Sequence, residues 1–175
     1  MSKASRHRLF FALDPGERVR REVAEWQRSL SLEGRVVPQQ NFHVTLAFLG
    51  MQEAESIPLI SEVASGLQFP RCEVALDKSG TFRKAGVLWL GANEIPEALN
   101  RFQHDLVGGL LKAGIGYDRK PWIFHLTLYR KMRKRPVIMH PVNIRWPMDG
   151  FSLIESVSVR SGVEYRTIGH WKAAG

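Results

Sequence analysis

Two kinds of apolar pattern run along the chain. Short continuous or alternating hydrophobic runs predict strands over residues 8–13, 35–37, 42–49, 72–76, 87–90 and 124–129. Two more, 151–159 and 163–168, form a final hairpin around Ser161-Gly162. Gly50 is expected to close the strand that begins at Phe42, and residues 38–41 to form a turn. Val19, Val23, Trp26 and Leu30 recur at helical spacing, behind a start signal in which Asp14 is placed to cap, Pro15 to open the helix and Glu17 to complete the box. Leu99, Phe102, Leu106 and Leu110 make a second stripe in a helix over 96–113, with Gly114 as its C-terminal stop. A third helix is expected over 54–65, where Pro58 is tolerable near the start. Residues 78–86 read as a polar hairpin region holding Thr81-Phe82. This order predicts an α+β fold with helices on one face of mostly antiparallel sheets.

Composition narrows the picture. The 175 residues suit a single domain, 1–175, or two intimate halves. A chain that is 44% hydrophobic and 24% charged is not a disordered one. Lys and Arg outnumber Asp and Glu by 25 to 17, a net charge of +8 that favours a polyanionic or phosphorylated partner. The single cysteine, Cys72, excludes an internal disulfide and a Cys-based zinc cluster. No run approaches the ~18 apolar residues of a membrane span. The N-terminal apolar run 9–13 is too short for a signal peptide, so the cytoplasm is the expected compartment.

One short pattern occurs twice. His43-Val44-Thr45-Leu46 returns 82 residues later as His125-Leu126-Thr127-Leu128. From this chain's own usage the pattern should arise by chance roughly 0.006 times, so an internal duplication is the better reading. Strand alternation puts His43 and Thr45 on one face with Val44, Leu46 and Phe48 on the other; it likewise groups His125, Thr127 and Tyr129 against Leu126 and Leu128. Two imidazoles and two hydroxyls would then converge on a groove. One histidine can take a proton while the other gives one, and the hydroxyls can bind phosphate oxygens. That set suits phosphoryl chemistry without metal or other cofactor, because the carboxylate and Cys ligands that a metal needs are missing around both motifs. His7, His104, His140 and His170 lack such a partner pattern and read as surface or packing residues.

These motifs resemble those of the 2H phosphoesterase superfamily, and within it the bacterial RNA 2′,3′-cyclic phosphodiesterases, also called 2′-5′ RNA ligases. The likeness extends through residues 8–13, 41–50, 87–91, 125–130 and 151–165, almost the whole length. It implies a bilobal fold of two pseudo-symmetric sheets with helices on their outer faces and a central groove. It implies hydrolysis of an RNA 2′,3′-cyclic phosphate to a 2′-phosphate, with ATP-independent 2′-5′ joining as the reverse of similar chemistry. On the family pattern His43 is the proton donor, His125 the proton acceptor, and Thr45 and Thr127 hold the phosphate. Family members usually carry Pro before the second histidine, where this chain has Phe124.

Around the motifs, Phe11 and Tyr129 are candidate RNA contacts by stacking, while Phe48 has core parity. Arg130 reaches the groove only if its strand ends or twists there; contact with phosphate or base and a solvated charge are both open. The run 130–135, Arg-Lys-Met-Arg-Lys-Arg, reads as a solvated loop or as an electrostatic landing strip for an RNA backbone. The expected partner is RNA with a 2′,3′-cyclic phosphate end, or 2′-5′ linked nucleotides, met by a monomer. The competing readings are a phosphodiesterase for a small nucleotide and an inactive RNA-binding module.

Overall fold

A computed structural model describes residues 4–138 and 140–174. Its first strand, β1 (Arg6–Leu13), sends Leu9, Phe11 and Leu13 into the main core and Phe10 and Ala12 to the opposite face. Helix α1 (Glu17–Leu30) follows, then the two-residue strand β2 (Arg35–Val36), a 3₁₀ turn at Gln39–Asn41, and β3 (Val44–Glu53). A further 3₁₀ turn leads into α2 (Ile57–Ser65), with Pro58 in its first turn as expected. Next come β4 (Cys72–Leu76), β5 (Lys78–Phe82), β6 (Val87–Gly91) and α3 (Glu97–Lys112). The chain ends with β7 (Leu126–Arg130), β8 (Ile144–Met148), β9 (Gly150–Val159) and β10 (Gly162–Lys172).

Among the described residues, eight strands form one antiparallel sheet in the order β10-β9-β1-β3-β7-β6-β5, with β2 beside β7. The two expected sheets are its halves. They meet where β3 and β7 pair, through Val44 and Leu126 alone. Strands β4 and β8 form a separate ribbon. All three helices bury their stripes in the same core as Leu9, Phe11 and Leu13. In α3 the expected Leu99, Phe102, Leu106 and Leu110 are all buried, each worth about 1.5–3 kcal/mol. Ile115 N–H donates to Leu110 O and Gly114 N–H to Leu111 O, the Schellman pattern at the expected stop.

Several local expectations change. Asp14 does not cap α1: Gly16 is the N-cap without a side-chain bond, and Asp14 instead pairs with Arg20. Trp26 is only partly buried, and Gln27 takes the core position beside it. Gly50 does not end its strand, which continues to Glu53. Strand β8 was not expected, since Pro147 interrupts its short pattern; it pairs only with β4, where a missing donor is tolerated.

Candidate active site

The two histidines stand immediately before β3 and β7, the strands that join the halves of the sheet. Their local geometry is the same. His43 Nδ1 donates to Asn41 O at 2.8 Å, and His125 Nδ1 donates to Ile123 O at 2.7 Å. Each bond commits Nδ1–H to the backbone and leaves Nε2 for chemistry. His43 Nε2 lies 3.1 Å from Thr45 Oγ1. Phe124, in the place of the usual Pro, is buried against Trp122 and Trp146 and leaves His125 on the other side of the chain.

After each His-x-Thr the pairing skips one residue. Phe11 pairs with Ala47 and Ala12 with Thr45, leaving Leu46 unpaired; Leu88 pairs with Tyr129 and Trp89 with Thr127, leaving Leu128 unpaired. A bulge of this kind reverses the facing of the residues that follow, until a further bulge, which in β3 comes at Leu49, reverses it again. Both leucines stay in the core, at 1% and 0% exposure. A glutamine from a helix reaches the carbonyl of each unpaired leucine, and Leu128 O accepts Val37 N–H at 2.9 Å as well. Gln103 of α3 donates to Leu46 O at 3.1 Å, and Gln27 of α1 donates to Leu128 O at 2.9 Å. Gln27 also donates to Val37 O at 3.0 Å, which accounts for a buried amide in an apolar stripe.

The bulges correct two side-chain assignments and place a third residue that alternation left open. Tyr129 is not a stacking residue: it is 3% exposed in the core, and its hydroxyl donates to Gln27 O. Phe48 is not on the core side but packs against Phe10, Ala12 and Ile154 on the groove face. Arg130 turns back and lines a cavity with His43 and Thr127. Phe11 is likewise no RNA contact, because it is fully buried against Phe151 and Trp171. Its neighbour Phe10 stands 4.9 Å from the His43 ring, and Tyr165 stands 5.2 Å from it. Alternation within the apolar run 9–13 carried the signal for Phe10, but five apolar residues in a row do not say which face is inward. On the other side Phe82 and Trp89 flank His125, at 4.9 and 6.3 Å. Gly80 is required there, since a Cβ on it would fall inside the Trp89 ring.

Two cavities flank the pair. One, of about 490 Å³, has a polar wall of Arg35, Asn41, His43, Thr127 and Arg130, with Tyr165 at its side. The other, of about 670 Å³, holds Thr45 and His125 among Phe48, Phe82 and Trp122. Trp122 ties the segment before His125 to β3, donating from Nε1 to Thr45 O at 2.8 Å. Arg20 braces the approach to His43 by donating to Gln39 O at 2.6 Å and Pro15 O at 2.9 Å. Burial pushes the His43 imidazole down from 6.5 to about 4; the Asn41 carbonyl opposes this, and the charges of Arg130, His125 and Arg20 add to it. Burial also lowers His125, against the Ile123 carbonyl and with help from Arg130. Both rings are therefore neutral at pH 7 when the groove holds no anion, and a bound phosphate would favour their protonated forms. Among the described residues no cluster of three or more His, Cys, Asp or Glu is placed to hold a metal. His7 and His170 are tied to Glu155 and Ser152, and no helix is long and apolar enough to cross a membrane.

A pair of imidazoles with hydroxyl and guanidinium donors between two nucleotide-sized cavities is the equipment of a phosphoesterase, and the chain belongs to the LigT-like phosphoesterase family. The family model matches residues 13–89. Similar proteins include the RNA 2′,3′-cyclic phosphodiesterase of Escherichia coli (strain K12), 29% identical over 94% of this chain and 95% of that protein. Those of Archaeoglobus fulgidus and Thermus thermophilus are 33% and 30% identical, over 75% and 92% of this chain and 76% and 87% of theirs. The crystal structure of E. coli LigT complexed with 3′-AMP superposes with a TM-score of 0.90 at 28% identity, covering 98% of this chain and all of that one.

Proposed function

We propose that this protein opens the 2′,3′-cyclic phosphate at the 3′ end of an RNA and leaves a 2′-phosphate. His125 Nε2 takes a proton from water, whose oxygen attacks phosphorus. The P–O3′ bond breaks, and His43, entering the step as the imidazolium that a bound phosphate favours, delivers its Nε2 proton to the departing oxygen and keeps Nδ1–H on Asn41 O. Thr45, Thr127 and Arg130 hold the non-bridging oxygens. An acid–base pair of this kind supplies typically ~10²–10⁴-fold in rate for each member. The observation that carries the reading is the matched placement of the two rings: each is locked through Nδ1 on a carbonyl two residues back, so each turns Nε2 to the groove. The names of the relatives support RNA as the substrate. The same site with a ribose 5′-hydroxyl in place of water would form a 2′-5′ bond. We take residues 1–175 to act as one bilobal unit and as a monomer.

A short RNA ending in a 2′,3′-cyclic phosphate, incubated in EDTA, tests this. A 2′-phosphate product is expected, lost in both His43→Ala and His125→Ala. A 3′-phosphate would overturn the assignment of the leaving oxygen, and activity surviving both substitutions would overturn the mechanism.

A further inference from the structure

The basic run after β7 does not stand alone. Met132 N–H donates to Gly86 O at 3.0 Å and clasps the run to the turn between β5 and β6. Between them lies a cleft of about 200 Å³. Arg83 lines it from the turn, and Arg133, Lys134 and Arg135 line it from the run, with no carboxylate in its walls. Lys84 and Lys131 adjoin these residues in the chain. Among the described residues none of the six has an ion-pair partner, whereas Arg6, Arg18, Arg101, Arg145 and Arg166 each have a carboxylate within 3.1 Å. A concentration of unpaired like charge disfavours the compact state through self-repulsion, and a polyanion relieves it. The cleft adjoins the site. Phe82 lines both it and the cavity that holds His125, whose ring is 4.9 Å away. At this volume it lies below the ~300 Å³ at the small end of small-molecule sites, a size for a phosphate and part of its ribose rather than for a whole nucleotide.

Resting on the reaction proposed above, we propose that this cleft is a second phosphate subsite, which grips the RNA backbone beyond the reacting terminus and makes the enzyme favour RNA strands over a mononucleoside 2′,3′-cyclic phosphate. Exposed Arg and Lys side chains position a strand without reading its bases, so the preference is for length and not for sequence.

The test compares kcat/KM on a short RNA ending in a 2′,3′-cyclic phosphate with that on cytidine 2′,3′-cyclic phosphate, at about 50 and about 200 mM salt. The variant is Arg133→Gln/Lys134→Gln/Arg135→Gln. The strand value should fall at least about tenfold and its logarithmic salt slope should flatten by about 2, at ~0.7 for each lost single-strand contact, while the mononucleotide value stays put. Arg83→Gln/Lys84→Gln, on the facing wall, should move the strand value in the same direction. Arg21→Gln/Arg28→Gln/Lys112→Gln removes three exposed cations that line neither cavity nor the cleft, and should leave it unchanged. An unaltered strand value and slope, equal losses on both substrates, or an equal loss in that charge-matched control would overturn the subsite. Absence of turnover on both substrates by the unaltered protein would overturn the reaction itself.

Discussion

His43→Gln should remove a pH dependence from folding, and its size follows from the burial of the ring. The folded protein holds His43 near pKa 4 against 6.5 for the ordinary side chain. Between those values the unfolded chain binds a proton that the folded chain refuses, so the contribution to stability falls as pH drops from 6.5 toward 4 and is flat above. The full gap corresponds to about 3 kcal/mol, of which about 2 kcal/mol is spent between pH 7 and pH 4.5. Glutamine is neutral throughout and carries no such term. Urea unfolding of both proteins at the two pH values isolates it, because every other titrating group is common to them. The unaltered protein should lose about 2 kcal/mol more than the variant on acidification. Parallel losses, or a His43 ring that titrates near 6.5 by NMR in the free protein, would refute the reasoning. Adding inorganic phosphate should raise the His43 titration, since an anion in the groove favours the imidazolium.

Three further outcomes follow from the same geometry. Arg130→Gln removes a charge that lowers both histidines, so the acid limb of the kcat/KM profile should move to higher pH; a pH–rate profile in which only the amplitude falls would assign Arg130 to phosphate binding alone. Thr45→Val and Thr127→Val should each cost roughly 10²-fold in kcat/KM on a cyclic phosphate, the scale of one lost oxyanion donor, with little change in thermal unfolding. Gln103→Leu leaves Leu46 O, and Gln27→Leu leaves Val37 O, without their side-chain donors, while Leu128 O keeps Val37 N–H; about 1–3 kcal/mol of unfolding free energy should go in each.

What the sequence carries most plainly is what it says twice. The repeated His-x-Thr-Leu located both histidines and both threonines, and alternation assigned their faces correctly as far as each threonine. Beyond that point it failed at Phe48 and Tyr129 and left Arg130 open, all for one physical reason: a one-residue bulge at Leu46 or Leu128 reverses the count, and no glycine or insertion announces it. The bulges are stabilised by Gln103 and Gln27, residues 57 and 101 positions away in sequence. Local pattern cannot register such a contact; the stripe Val19, Val23, Trp26 and Leu30 passes Gln27 by. Helix α3 was legible to within a residue at each end because its stripe, its length and its C-terminal glycine agree. The start of α1 misled because Asp14-Pro15-Gly16 satisfies the capping pattern, while the chain gives Asp14 to Arg20 instead.

The two motifs are so nearly alike that the proton carriers are, as chemical parts, interchangeable. Two like motifs by themselves give a groove no sense of direction. Here they are told apart by their surroundings: His43 is the more deeply buried ring, and the rooms on either side differ, one walled by arginines and amides and the other by aromatic rings. The unlike walls thus give two nearly equal motifs two unlike surroundings, and that difference, rather than the motifs, is what distinguishes one side of the groove from the other.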